Sequence, residues 1–210
     1  MSGRRRLGAL VLATGALTGA AIALFAFLLF GSDHQGLAAR LHGQANWSPG
    51  AQPAPTFELR DHQGALVSLK AMRERPILLT FFDSRCVQQC PLMGRELGLM
   101  LRRMPSEDRP TLMIVSVNPA GDTPASIRAA LTRWRLDGPW PVHWLRGTER
   151  DLSSVWRAYG ISVDPTTKTV THGMALYLID GDGFKRTGYL FPFLPNFVAL
   201  DLKTLRDEIT

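Results

Sequence analysis

The chain has 210 residues, which is enough for one buried domain with an extension and too short for two domains of ordinary size. Hydrophobic residues make up 45% of it and charged residues 20%, a globular composition that excludes disorder. The formal net charge of +6 is divided between the N-terminal extension and the rest of the chain, with no dense stripe of lysine and arginine, so we expect no nucleic-acid binding.

The N-terminal segment predicts a membrane anchor. Residues 1–6 contain three consecutive arginines, and residues 7–30 form an uncharged, almost wholly apolar run. A helix of this length crosses a bilayer with some tilt, and the run is longer than the core of a cleaved signal peptide, which is the alternative. Because basic residues stay on the cytoplasmic side, we expect a single-pass protein of the cell inner membrane with a cytoplasmic tail and a periplasmic C-terminal domain.

Residues 31–55 are rich in Gly, Ala, Ser, Pro and Gln without sustained periodicity, which predicts a linker. The domain is therefore expected over residues 56–210. It opens with a predicted hairpin, whose strands at 57–59 and 66–69 flank an Asp-His-Gln-Gly turn. The apolar run 76–82 then predicts a central buried strand.

The remaining pattern alternates helices and strands. The predicted helices are 91–104, 124–134 with Asp122 or Thr123 as its cap, 149–159 and 196–209; the predicted strands are 111–117, 142–145, 174–179 and 184–190. This order is typical of an α/β fold: a thioredoxin-like sandwich with a mixed central sheet, here preceded by one transmembrane helix.

The chain contains two cysteines, Cys86 and Cys90, directly after the predicted central strand and at the start of the next helix. A spacing of four places both sulfurs on one side of a helical turn, close enough to bridge or to hold one ion. The positive end of a helix stabilises thiolate, the form that attacks disulfides and binds soft metals. A structural disulfide is the alternative, but a bridge over so few residues restrains little chain entropy. We therefore expect a redox-active pair.

Five histidines could supply a further ligand. His34 and His42 lie in the predicted linker, His62 in the hairpin turn and His143 inside a short strand, where ordinary polar roles suffice. His172 follows a polar loop and comes just before a late strand. In a thioredoxin-like sandwich that loop faces the start of the helix that carries the cysteines, so His172 is the candidate.

Two thiolates and one imidazole form a soft, low-coordinate set that suits Cu(I) and could also accept Cu(II). Zinc would require a fourth ligand, and the chain has no further cysteine. Copper is therefore the expected metal, with Cys86, Cys90 and His172 as its candidate ligands.

These residues resemble the Sco/SenC family of copper chaperones for cytochrome c oxidase. The similarity is strongest at Cys86-x-x-x-Cys90-Pro91 and at His172, and the Asp-Thr-Pro sequence at 122–124 is similar to a family segment. It covers residues 52–209 and the anchor. The resemblance implies that Cys86, Cys90 and His172 bind copper, and that the protein helps to metallate or reduce the copper site of the oxidase.

The chain departs from the family pattern around the cysteines. The differing residues are Ser84-Arg85 before the first cysteine, Val87-Gln88 after it, Asn118 and Gly121 in place of Asp and Arg, and Thr171 in place of an Asp before the histidine. Fewer carboxylates and an added arginine make the site more electropositive, which lowers thiol pKa values and disfavours a cation relative to the free dithiol.

Three functions remain open at this stage. The first is a copper chaperone, whose partners would be the copper-site subunit of cytochrome c oxidase or another copper protein in the same membrane, together with a thiol–disulfide reductant. The second is an enzyme, a thiol–disulfide oxidoreductase in which Cys86 attacks and Cys90 resolves. The third is a redox or copper sensor. The oxidoreductase does not need His172, whereas the copper chaperone needs all three residues.

Overall fold

The computed structural model describes residues 41–72, 75–164 and 170–208. The predicted cytoplasmic tail and the predicted anchor at 7–30 lie outside these ranges. Within them, no helix combines the length and the apolar character needed to span a bilayer.

The described ranges contain strands and four α-helices that follow the predicted order. In chain order they are β1 (Ala45–Asn46), β2 (Glu58–Asp61), β3 (Leu66–Ser68), β4 (Ile77–Phe82), α1 (Gln89–Arg103), β5 (Thr111–Ser116), α2 (Pro124–Arg133), β6 (Val142–Arg146), α3 (Glu149–Ala158), β7 (Val163–Asp164), β8 (Thr171–His172), β9 (Ala175–Ile179), β10 (Lys185–Leu190) and α4 (Pro195–Asp207). Short 3₁₀ turns at Leu69–Ala71 and Ser106–Asp108 complete the described elements.

Eight strands form one mixed sheet in the order β1-β10-β9-β4-β5-β6-β2-β3. β4 pairs in parallel with β5, and β5 in parallel with β6, while β9 runs antiparallel to β4. The carboxyl ends of the three parallel strands therefore lie along one edge of the sheet, together with the start of β9. β7 and β8 form a separate two-stranded ribbon. The predicted mixed α/β sandwich is confirmed.

Side chains of β4 alternate between two apolar cores, as a strand buried on both faces requires. Leu78 and Phe82 pack with α1, α2 and α4, whereas Ile77, Leu79 and Phe81 pack with α3. Every residue of β4 is buried. The central strand is thus fixed from both sides, and the loop that follows it starts from a rigid base.

Helix α1 approaches the segment after α2 closely enough to require glycine. A Cβ atom on Gly98 would lie 2.4 Å from the Arg135 carbonyl oxygen, and one on Gly94 would lie 3.0 Å from the Trp134 side chain. These contacts set the position of the helix that carries the cysteines.

The stretch 41–55, part of the predicted linker, packs on the domain. Leu41 and Ala54 are buried, and β1 pairs with β10 through Ala45 opposite Gly188. A two-residue strand leaves no periodic pattern, so this pairing cannot be predicted from the sequence. The first described residues are therefore an added edge of the sheet.

Candidate metal and dithiol site

Both cysteines lie at the junction between strand β4 and helix α1. The loop after β4 turns tightly, with the Cys86 N–H donating to the Asp83 carbonyl over 3.1 Å. Cys86 is half-buried in this loop, and Cys90 is fully buried in the first turn of α1. Both are free thiols. The predicted position of the pair, after the central strand and at a helix start, is confirmed.

The two thiols differ strongly in acidity. A hydrogen bond from the Cys90 thiol, with backbone N–H groups of Cys90 and Gln88 acting in the same direction, lowers the pKa of Cys86 to about 5. Gln88 makes no side-chain capping bond, so the Cys86 sulfur takes the place of a cap at the start of α1. Donating to that sulfur, and burial, raise the pKa of Cys90. Cys86 is therefore a thiolate at neutral pH and Cys90 a thiol.

His172 presents its ring to Cys90. The distance between His172 Nε2 and Cys90 Sγ is 3.6 Å. On the other side of the ring, Nδ1 lies 3.0 Å from the Gly173 carbonyl oxygen, which can only accept, so Nδ1 carries the proton of the neutral ring. Nε2 is then left as a lone pair aimed at the sulfur.

The ribbon β7–β8 holds His172 in place. Val163 is the register partner of His172, and the Gly173 N–H donates to the Ser162 carbonyl over 2.9 Å. The sequence predicted this meeting of a late histidine with the cysteine helix from the order of elements alone. In the structure the His172 ring contacts Cys90, and a pocket in which all three groups bind one ion stays a prediction.

An open cavity of about 210 Å³ connects these groups. Its lining residues are Asp83, Cys86, Val87, Gln88, Gln89, Cys90, Val170, Thr171, His172 and Met174. In the part of the chain that the structure describes, no three His, Cys, Asp or Glu side chains already converge as a complete metal site. Cys90 instead contacts each of the other two candidates, so the arrangement is a dithiol with an imidazole beside its buried member.

Asp83 stabilises the loop that contains Cys86 through hydrogen bonds of its buried carboxylate. Its carboxylate accepts from the Arg85 N–H over 2.8 Å and from Asn118 Nδ2 over 3.1 Å, and it is 2% exposed. Its charge raises the pKa of both thiols. For Cys86 this effect is smaller than the lowering of the pKa by the hydrogen bond from Cys90. Asn118, one of the departures from the family pattern, thus contacts the loop through an amide where a carboxylate would repel Asp83.

Asp122, which the sequence offers together with Thr123 as a possible cap of α2, has a different role in the structure. Thr123 is the cap of α2, and Asp122 points into the protein. Its carboxylate accepts from the Ser84 N–H at 2.8 Å, the Ser116 hydroxyl at 2.5 Å and the Trp144 indole at 3.3 Å. It therefore joins the loops after β4 and β5 to β6, and burial raises its pKa to about 6.

The other described histidines have partners away from the dithiol. His143 Nδ1 lies 2.9 Å from the Asp61 carboxylate, and His62 Nδ1 accepts from the Trp144 N–H at 3.4 Å. His62 is buried rather than solvated in its turn, and burial lowers its pKa. These rings hold the hairpin against β6.

His42, placed in the linker by the sequence, belongs to the domain surface. Its ring stacks on Phe197 with centroids 4.4 Å apart, and its Nδ1 lies 2.6 Å from the Asp201 carboxylate. The Tyr189 hydroxyl donates to the same carboxylate. His42 fastens the first described residues to α4. His34 lies outside the described residues.

The fold and the site define a class: a thioredoxin-like domain with a CxxxC dithiol at a helix start and a histidine facing it. The SCO1/SenC family model matches residues 47–205, and the chain belongs to this family. The resemblance inferred from the sequence is confirmed.

Known relatives agree with this assignment. A Stutzerimonas stutzeri protein whose given name refers to copper binding is 28% identical over 145 residues, which cover 66% of this chain and 69% of that protein. The copper-bound structure of ScoI from Bradyrhizobium japonicum is 28% identical with a TM-score of 0.62, covering 73% of this chain and 98% of that one. A SCO1/SenC family lipoprotein from Bacillus anthracis, 22% identical, shares the fold with a TM-score of 0.67 over 77% of this chain and 99% of its own.

Proposed function

We propose that this chain is a membrane-anchored copper chaperone of the periplasmic face of the inner membrane, which helps to metallate or reduce the copper site of cytochrome c oxidase. Cys86, Cys90 and His172 are its proposed copper ligands. The observation that carries the proposal is the 3.6 Å approach of His172 Nε2 to Cys90 Sγ, with Nδ1 committed to the Gly173 carbonyl.

The donor set fits Cu(I) as cargo. The Cys86 thiolate and a neutral imidazole nitrogen are ready to bind, since the first needs no deprotonation near neutral pH and the second is held in one tautomer. Cys90 must release its proton when it becomes a ligand, so copper uptake releases about one proton per ion. The hydrogen bond from Cys90 to the Cys86 sulfur is then replaced by a bond from each sulfur to the ion.

The site is suited to handing copper on. Cys86 is half-buried and Cys90 is fully buried in the lining of the cavity, so an acceptor ligand reaches the ion from the more exposed side, that of Cys86. Confinement of donor and acceptor to one membrane raises their effective concentration and favours transfer by ligand exchange. The copper-site subunit of the oxidase, or another copper protein of that membrane, is the proposed acceptor.

The acidity difference between the thiols favours a second candidate, a thiol–disulfide oxidoreductase. The Cys86 thiolate would attack one sulfur of a substrate disulfide and expel the other as a thiolate. Cys90, once deprotonated, would attack Cys86 Sγ, releasing the reduced substrate and leaving a Cys86–Cys90 disulfide. A thiol reductant must then return two electrons to the pair. This chemistry does not require His172.

Competition for Cu(I) against a chelator of known affinity tests the proposal. The reduced full-length protein in neutral detergent is compared with His172→Ala, Cys86→Ser, Cys90→Ser and the remote control His42→Ala. We expect one tightly held ion in the wild type and in His42→Ala. His172→Ala should lose about a hundredfold in Cu(I) affinity, because removal of a ligand costs at least as much as removal of a residue that only orients a ligand. Each serine variant should lose stoichiometric binding.

Two results would remove the chaperone. One is a wild-type affinity no better than that of an unrelated dithiol peptide, and the other is stoichiometric copper in either serine variant. Reduction of a small disulfide by the same samples separates the second candidate, because it should survive in His172→Ala and vanish in Cys86→Ser.

A further inference from the structure

Three guanidinium groups converge on the loops around the dithiol. Each donates to a backbone carbonyl of the loop after β4 or of the loop before α2, and these two loops are joined by the Ser84–Asp122 hydrogen bond. The contacts are Arg85 Nε to Gly121 O at 2.9 Å, Arg133 Nη2 to Ser84 O at 3.2 Å and Arg146 Nε to Asp122 O at 2.7 Å. The side chains come from three different parts of the chain, and two of the arginines, Arg85 and Arg133, belong to or contact the loop that leads to Cys86. We call Arg85, Arg133 and Arg146 the arginine face.

The charges of the arginine face are not neutralised by the protein. Over the ranges that the structure describes, none of the three arginines forms a salt bridge. The nearby carboxylates, Asp83 and Asp122, are 2% and 1% exposed and are bound to inward donors. A carbonyl partner orients a guanidinium without cancelling its charge, which leaves the other N–H groups free for a bidentate acceptor. The loop surface beside Cys86 therefore presents ordered positive charge to solvent.

We propose that the arginine face docks an acidic surface of the protein that exchanges copper with Cys86. This inference rests on the proposed function and adds the chemistry of the acceptor: carboxylates placed around its own copper site. Fixed arginines lose little side-chain entropy when they pair with carboxylates, and a positive rim steers a negative partner toward the thiolate. Val87, 79% exposed and next to Cys86 in the chain, supplies an exposed apolar side chain beside the thiolate.

An anionic lipid surface is the competing occupant of a basic patch. It is disfavoured here because Arg85 is the chain neighbour of Cys86, and a membrane lying on the arginine face would cover the more exposed of the two cysteines, which the acceptor must reach. The two occupants give opposite results in the test below.

The test measures Cu(I) transfer from the full-length protein in neutral detergent to the soluble copper-site domain of its organism's oxidase subunit. The variants are Arg133→Glu and, to keep a hydrogen-bonding side chain while removing the charge, Arg133→Gln. Arg103→Glu is the matched control, since Arg103 is an exposed arginine of α1 roughly 20 Å along the helix from Cys90. Cu(I) affinity is measured for each sample, so that failure to bind copper is separated from failure to dock.

We expect the wild-type transfer rate to fall about tenfold between 20 and 200 mM salt, the order typical of steered association. At 100 mM salt, where the Debye length is about 10 Å, Arg133→Glu should transfer several-fold more slowly, Arg133→Gln should lie between, and Arg103→Glu should change less than about twofold. A salt-independent wild-type rate, or equal slowing by Arg103→Glu, would overturn the docking surface while leaving copper binding intact. So would Arg133-dependent binding to phosphatidylglycerol vesicles with an unchanged transfer rate.

A second experiment, without any protein partner, measures the electrostatic effect of the arginine face on the Cys86 thiolate. The reduced protein reacts with a dianionic aromatic disulfide and with dicationic cystamine, and the ratio of the two rates is compared among variants. The ratio should fall several-fold in Arg133→Glu and stay constant in Arg103→Glu, because charge near the thiolate attracts one reagent and repels the other. An unchanged ratio in Arg133→Glu contradicts the proposal.

Discussion

Cys86 lies in the loop before α1 and Cys90 in the first turn of that helix, and a hydrogen bond from the Cys90 thiol to the Cys86 sulfur moves the pKa values of the two groups in opposite directions. The buried thiol donates and the half-buried sulfur accepts. This asymmetry assigns the roles in either chemistry: Cys86 is the nucleophile or entry ligand, and Cys90 is the group whose proton must leave before an ion or a disulfide is closed.

The acidity of Cys86 is open to direct titration. Because its pKa is lowered to about 5, the thiolate is present above that value and is lost as the pH falls through it. Absorbance of the thiolate near 240 nm should therefore titrate with a midpoint of about 5 in the reduced wild type. Replacing the donor in Cys90→Ala should move that midpoint upward toward an ordinary thiol. Cys86→Ala should show no thiolate at neutral pH, and a midpoint that is the same in the wild type and Cys90→Ala would contradict the assigned hydrogen bond.

The sequence predicted the order of elements well because the signals were local. An apolar run of strand length and a Thr-Pro pair at the start of the second helix are recognised without knowing any partner. The pairing of β1 with β10 depends on residues more than 140 positions apart. No local pattern records such a contact, so the sequence predicts a linker over residues 31–55, of which 41–55 pack on the domain.

The site was predicted where residue chemistry is specific and missed where it depends on burial. Two cysteines and a histidine stand out in any sequence. Asp122 reads as one more polar residue before a helix, and it acquires its role only when β4, β5 and β6 bring Ser84, Ser116 and Trp144 around it. Likewise Arg133 and Arg146 are ordinary charged positions until the fold brings them to the carbonyls of Ser84 and Asp122.

Close packing of α1 predicts a cost for a small substitution. Gly98→Ala should gain about 1 kcal/mol of helix propensity but place a Cβ 2.4 Å from a backbone oxygen, and such overpacking costs on the order of 1–3 kcal/mol or more. We expect a net loss in free energy of unfolding, measured by urea titration with tryptophan fluorescence. Gly94→Ala, which meets the Trp134 side chain at 3.0 Å, should lose less. A Gly98→Ala protein as stable as the wild type would show that the helix is free to shift.

The contact of His42 with α4 predicts that substitutions of its two partners, Asp201 and His42, destabilise the protein by different amounts. Asp201 is 1% exposed and accepts from the Tyr189 hydroxyl and from both the backbone and the ring of His42. Asp201→Ala leaves a buried hydroxyl without its acceptor and should cost on the order of 2–3 kcal/mol, whereas His42→Ala should cost about 1 kcal/mol.

Thermal or urea unfolding measures both variants, with Asp207→Ala as the control. Asp207 pairs with Lys203 on the exposed side of the same helix, so its loss should change stability by less than about 1 kcal/mol. Equal effects of Asp201→Ala and His42→Ala would mean that Tyr189 finds another acceptor.

Asp122 should impose a pH dependence on stability whose sign is opposite to that of most carboxylates. Burial raises its pKa from 3.8 to about 6, so the folded protein keeps a proton that the unfolded chain has lost. Its contribution is fully present below about pH 4 and is lost as the pH rises through about 6. The difference in unfolding free energy between the wild type and Asp122→Asn should therefore fall by on the order of 2–3 kcal/mol between pH 4 and 7.

Urea titrations across that pH range measure this difference, and Asp151→Asn supplies a control of the opposite sign. The exposed carboxylate of Asp151 has a lowered pKa because the Thr148 side chain and backbone donate to it, so its contribution is present at neutral pH and is lost as the pH falls. The two differences should run in opposite directions over the same titration. If the Asp122 difference stays flat or rises with pH, the carboxylate is ionised throughout, and the three donors from Ser84, Ser116 and Trp144 outweigh its burial.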